Sequence, residues 1–217
     1  MDPAVQKSGT LLGMADAQIT ERGRRTRRRI LEAALEVVAE RGANTASLDE
    51  VGARAGTSKS QLYHYFSDRD DLLRAVAEAT NEMVLDAQSE LFAGLGTAAG
   101  LAAWADALVE LNQTRRGAGG CPIASLVAQI GEHDKDARAV LAAGFDRWEA
   151  AIRSGLDAQR DSGELRDDAD TAWLATSVLA SLQGGLILAQ AGRNPAALRA
   201  ALNGALALVD SHRPNHR

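Results

Sequence analysis

The sequence predicts an all-α fold of about nine helices, an N-terminal three-helix domain followed by a larger helical domain. Three observations carry that expectation. Ala and Leu abound, Pro is scarce, and aromatic residues make up only 4% of the 217 residues, a bias toward helix formers. Apolar residues recur at steps of three and four through most segments. Gly, Pro, Ser and Asp fall between those segments where helix ends need them, and no run alternates as a strand would.

In chain order, residues 1–19 show no sustained periodicity and are expected to be a mobile, disordered tail. Met14 is an alternative start to Met1. The first helix is expected over about 24–41, with Ile30, Leu31, Ala34, Val37 and Val38 as its apolar stripe and Gly42 as its stop. The second spans about 47–55, opened by a capping box between Ser47 and Glu50 and closed by Gly56. Thr57 or Ser58 caps a short third helix, about 58–65.

Ser67 is expected to cap a long fourth helix reaching about residue 93, with Asp68, Asp70 and Asp71 at its dipole-favoured start. Helices over about 97–115, 122–131, 134–162, 169–191 and 195–210 follow, with Pro122 and Pro195 at first-turn positions and Asp168 as a cap. The resulting domains are 20–66, holding the first three helices, and 67–211.

The net charge of −5 is unevenly spread. Residues 1–20, 21–80 and 81–217 carry net −1, +1 and −5. Within the middle segment Arg22, Arg24, Arg25, Arg27, Arg28 and Arg29 crowd together, a local footprint for phosphates. No apolar run is read as approaching the ~20 residues of a membrane span, and no secretion signal is read at the start. A lone Cys121 excludes an internal disulfide, fits a reducing cytoplasm, and excludes a multi-cysteine zinc site. Cys121 as a redox sensor is weighed against the commoner role of a buried small apolar residue. His64, His133, His212 and His216 have no ligand spacing, and no nucleophile elbow or phosphate loop is present, so neither metal nor cofactor nor catalytic residue is expected.

Two short helices around a glycine turn, the second dense in hydrogen-bonding side chains, form the helix-turn-helix pattern whose second helix enters the DNA major groove. Lys59 can neutralise a phosphate or read guanine, and Gln61 can pair with adenine. Tyr63 and the hydroxyls of Ser47, Thr57, Ser58 and Ser60 can hold phosphates that set register. Leu62 and Phe66 read as core, and Tyr65 as divided between packing and solvent.

The run Ser58-Lys59-Ser60-Gln61-Leu62-Tyr63-His64-Tyr65-Phe66, with Arg69 and Leu72-Leu73 after it and residues 30–56 before it, resembles the DNA-binding domain of TetR-type transcriptional repressors. The resemblance covers roughly residues 22–80, about a quarter of the chain. It implies a cytoplasmic, bacterial, homodimeric repressor that binds double-stranded DNA at a palindromic operator, with no membrane attachment. It implies DNA contacts from Ser47, Thr57, Ser58, Lys59, Ser60, Gln61, Tyr63, His64, Tyr65 and Arg69. Arg69 stands where the family usually has lysine, and Ser60 where glycine is frequent.

The resemblance further implies a cavity for a small hydrophobic or aromatic effector among Trp104, Leu108, Cys121, Leu126, Ile130, Phe145, Trp148, Trp173 and Gln183. A dimer interface is implied through Leu174, Val178, Leu182, Leu198, Leu202 and Leu206. An activator, or a regulator answering a protein partner or redox state, is the alternative that the residues leave open.

Overall fold

The computed structural model describes residues 20–214, which form ten α-helices and one π-helical turn with no strand among them. The 1–19 tail and His216 lie outside the described residues. The helices are α1 Glu21–Arg41, α2 Leu48–Ala55, α3 Lys59–Tyr65, α4 Arg69–Asp86, α5 Ser89–Phe92, α6 Ala98–Thr114, α7 Pro122–Leu126, α8 Lys135–Asp161, α9 Thr171–Gly192 and α10 Ala196–Asp210. The π-turn, Val127–Gly131, continues α7. The chain divides into two compact units, the first ending at Val76 and the second beginning at Ala77. The division falls inside α4, later than the boundary expected after residue 66.

In the first unit α1, α2 and α3 enclose Ile30, Ala34, Val37, Val51, Leu62 and Phe66, each at most 2% exposed. Thr20 caps α1 by accepting from the Gly23 amide, so the helix starts earlier than the apolar stripe suggests. Gly56 ends α2 at φ +60°, a conformation without a Cβ penalty only for glycine. Asp68 accepts from the Asp71 amide at 2.7 Å at the start of α4. Asp68, not Ser67, therefore fills the capping role, and the Asp71 carboxylate returns to the Ser67 amide at 2.9 Å.

The second unit is built on α6, α8, α9 and α10, around Trp104, Leu141, Ile152, Leu156, Leu174 and Leu182, none measurably exposed. The expected single helix from Ser67 to about residue 93 is instead broken after Asp86. Gln88 stands at the break, almost wholly buried. Its amide donates to the Val84 carbonyl at 3.0 Å and accepts from the Trp104 indole at 3.0 Å. That tertiary contact is satisfied only if the chain turns there, which overrides local helix propensity. Asp170 caps α9 through the Trp173 amide, where Asp168 was expected; Asp168 pairs with Arg166 instead.

Helix α9 has no charged residue over 22 positions and a mean hydropathy of 1.5, so one helix is long and apolar enough, by length and composition, to cross a membrane. This corrects the expectation of no such run. One face of α9 is buried against α10 and α8, with Gly185 allowing the Leu198 backbone to come close. The other face holds Trp173, Ile187 and Leu188 at 51–63% exposure.

Candidate DNA-binding surface and cavity

Helix α3 is positioned by its own cap. Ser58 accepts from the Gln61 amide, and the Gln61 side chain accepts from the Ser58 amide, both at 3.2 Å. Leu62 and the following Phe66 are the buried anchors, 1% exposed each. That leaves Ser58, Lys59, Ser60, Gln61, Tyr63 and His64 exposed together. Tyr65 is half-buried, its ring edge-on to His64 at 4.9 Å. Lys59 Nζ sits 3.5 Å from Asp49, both well exposed, so a phosphate can displace that partner at little cost. One lone pair of the Gln61 carbonyl oxygen is engaged in the capping box.

Two expected contacts are used differently. The Thr57 hydroxyl is buried without a partner, and its side chain lies close to where a Cβ on Gly52 would stand. It packs inside the turn rather than facing outward. Arg69 turns its guanidinium inward: Nε donates to the Ala46 carbonyl at 3.2 Å and Nη2 donates to the Ala43 carbonyl. It clamps the start of α4 to the α1–α2 connection. Ser47 is exposed and caps α2 through the Glu50 amide at 3.2 Å, but its capping box is half made, because the Glu50 carboxylate pairs with Arg41 at 2.9 Å.

The arginine cluster is also partly committed. Arg29 donates to the Ala55 carbonyl at 2.8 Å, Arg27 lies over the Phe66 ring at 5.1 Å, and Arg24 and Arg28 pair with Glu21 and Glu32. Arg22 and Arg25 are exposed with no ion pair among the described residues. Arg54 binds Glu40 through two bonds of 2.8 Å. That hydrogen bond, helped by the Arg54 charge, holds the Glu40 carboxyl below its ordinary range.

The second unit contains a cavity of about 250 Å³. Of the residues expected to line it, Leu108, Cys121 and Trp148 do so. Trp104, Leu126 and Ile130 are core, Phe145 and Gln183 are half-buried off the lining, and Trp173 lies on the surface beside His212. Sequence reasoning missed Leu111, Asn112 and Arg115, although their spacing from Leu108 sets all four on one helical face. It also missed Met83, Gln88, Leu91 and Leu186.

Cys121 is 6% exposed, and burial pushes its thiol up, opposed by the Ala124 and Ile123 amides and by Gln183. The Gln183 amide lies near enough to favour the thiolate, yet outside hydrogen-bond geometry, and both its polar atoms are buried without a partner. Trp148 Nε1 and Asn112 Oδ1 are likewise buried and unpartnered.

The expected interface residues Leu174, Val178, Leu182, Leu198 and Leu202 are at most 1% exposed. They are buried within the second unit, where α9 packs against α10 and α8, and Leu206 alone of the six is half-buried.

Residues 30–76 match the family profile described as bacterial regulatory proteins, tetR family, and residues 97–205 match that of a tetracyclin repressor-like C-terminal domain. The HTH-type transcriptional regulator Rv0196 of Mycobacterium tuberculosis is 32% identical over 183 residues, 77% of this chain and 86% of that protein. The HTH-type transcriptional repressor LfrR of Mycolicibacterium smegmatis is 42% identical over 59 residues, which is 27% of this chain and only 30% of LfrR. The crystal structure of a regulatory protein TetR from Rhodobacter sphaeroides superposes with a TM-score of 0.71 at 23% identity, covering 84% of this chain and 97% of that one. These relatives are transcriptional regulators, not enzymes.

Proposed function

Given that this chain belongs to the TetR family of bacterial transcriptional regulators, with a helix-turn-helix DNA-binding domain, we propose that it is a homodimeric repressor released from a palindromic operator by a small molecule. The observation that carries the proposal is the second unit's cavity, partly walled by Met83 and Val84 of α4. Helix α4 begins at Arg69 in the first unit, so a ligand that favours one position of Met83 and Val84 biases the helix joining the two units. Release requires only that the ligand bind one conformation better than the other, by a few kcal/mol.

Dimerisation is supported by the uncharged outer face of α9. Trp173, Ile187 and Leu188 form an exposed apolar surface that water disfavours and a second copy covers. A two-fold pair of recognition helices then calls for two half-sites in mirror order. Base and phosphate contacts fall to Ser47, Ser58, Lys59, Ser60, Gln61, Tyr63 and His64, with Arg22 and Arg25 supplying charge. Control through oxidation of Cys121 is the weaker reading, because burial keeps that thiol protonated.

The test is binding of the purified protein to DNA upstream of its own and neighbouring genes, at two salt concentrations, with and without apolar small molecules. Specific binding that weakens with added ligand is expected. Specific binding that no small molecule relieves refutes the switch. Leu188→Glu is expected to convert the dimer to monomer in sedimentation, and an unchanged dimer places the interface elsewhere.

A further inference from the structure

The cavity is apolar over most of its wall, but its polar groups are specific and unused. Trp148 and Asn112 are 3% and 4% exposed and line it, and Trp148 Nε1 and Asn112 Oδ1 meet no hydrogen-bond partner. Buried polar atoms left unpaired are uncommon, and each one costs stability until something occupies the site. One charged side chain lines the cavity, Arg115. It is exposed and, like Arg116 and Arg193, has no ion pair among the described residues, whereas Arg147, Arg153, Arg160, Arg166, Arg199 and Arg213 are each paired with a carboxylate.

Arg115 follows α6 directly and stands three positions beyond Asn112, so the two occupy one face at the helix end. Arg116 comes next, and Gly117 brings that loop against the backbone of Arg193. Arg115, Arg116 and Arg193 therefore stand on adjoining segments within residues 81–217, whose net charge is −5. Such a local excess raises the concentration of anions around it.

We propose that the effector is a compact amphipathic carboxylate. Its apolar body, aromatic or aliphatic, lies among Leu91, Leu108, Leu111 and Leu186. Its carboxylate is held by Arg115 and can accept from Trp148 Nε1, while Asn112 Oδ1 can accept only from a hydroxyl or N–H carried elsewhere on the ligand. A guanidinium matches a carboxylate through two parallel charge-assisted bonds, which makes it the natural partner for this head group. The volume lies below the ~300–1,000 Å³ of drug-sized sites, which favours a small acid over an extended one. This rests on the small-molecule reading above and narrows it to an acid.

The experiment is calorimetric titration of the full chain with benzoate, 3-phenylpropionate and octanoate, each beside its neutral amide. Wild type, Arg115→Gln and Trp148→Phe are compared, and DNA release is followed in parallel. At least one acid is expected to bind about tenfold or more tightly than its amide. Arg115→Gln removes that preference while leaving amide binding and the melting temperature unchanged; Trp148→Phe weakens the acid severalfold. If no acid exceeds its amide, or if Arg115→Gln preserves the preference, the inference is overturned. Acid binding through Arg115 without DNA release upholds the ligand class and refutes the repressor switch. DNA release by the amides alone does the reverse.

Discussion

Replacing Arg69 by Ala separates two roles that its position allows. Its guanidinium donates to the carbonyls of Ala43 and Ala46, whose residues are 0% and 7% exposed, while the arginine side chain itself is 38% exposed. A bond from a charged donor contributes roughly 1.5–3 kcal/mol when buried, and partial exposure reduces this. The two bonds together are therefore set at about 2 kcal/mol. Breaking them frees the start of α4 from the α1–α2 connection. In a unit of this size, ~1 kcal/mol moves a melting temperature by ~4–8 °C, so the shift is large.

The assay exploits the placement of the aromatics. Both tyrosines, Tyr63 and Tyr65, lie in the first unit, and all three tryptophans lie in the second. Urea unfolding of Arg69→Ala and Arg69→Lys is followed by tyrosine absorbance and by tryptophan emission. The tyrosine transition is expected at lower urea for both variants, because lysine keeps the charge but not the two-pronged geometry. An unmoved tyrosine transition, with DNA affinity reduced and its salt slope lowered by about one contact, refutes the clamp. Arg69 would then be a phosphate ligand.

Gly155→Ala is expected to destabilise the second unit by about 1–3 kcal/mol despite a better helix former, since the new Cβ would stand 2.3 Å from Leu95 Cβ and 2.9 Å from its carbonyl; a raised urea midpoint contradicts this. Arg54→Ala bears on pH. The Glu40 carboxyl is lowered by Arg54, so the pair stabilises above the ordinary value of 4.5 and that contribution is lost as pH falls through the lower folded value. The variant is expected to lose part of the stability difference between pH 7 and pH 3, and an identical acid profile argues against the pair. Cys121 should alkylate more slowly than a free thiol at pH 7–8, with a rate still climbing where a free thiol's has levelled off, because burial raises its thiol above the ordinary value. Rapid modification at neutral pH would restore the redox reading.

Local chemistry made the first unit readable. Gly56, a cap at Thr57 or Ser58 and the spacing of Leu62 and Phe66 are short-range signals; the structure uses Gly56, Ser58, Leu62 and Phe66, and adds Gln61 as the return partner of the cap. The inward turn of Arg69 was hidden because its acceptors lie 23 and 26 residues upstream. The break after Asp86 was hidden for a related reason: Gln88 meets Trp104 only once the fold exists. In α9 periodicity failed differently. With no charged residue in the helix, no polar side marks the outer face, so Leu174, Val178 and Leu182 could not be told from Ile187 and Leu188. In the cavity the apolar pattern marks Leu108 but not Asn112 and Arg115, one and two turns further along the same face.

DNA reading by the exposed side chains of α3 is the premise on which the proposed repressor stands. Its most direct measurement is the affinity of wild type, Lys59→Ala and Tyr63→Ala for an upstream duplex and a scrambled one across a salt series. Both side chains are exposed, and neither supports the core, so both variants should keep the wild-type sedimentation and melting temperature. The preference for the upstream duplex is expected to collapse in both variants, with a shallower salt slope for Lys59→Ala. Undiminished specificity in both, or a dimer that falls apart on either substitution, would contradict it.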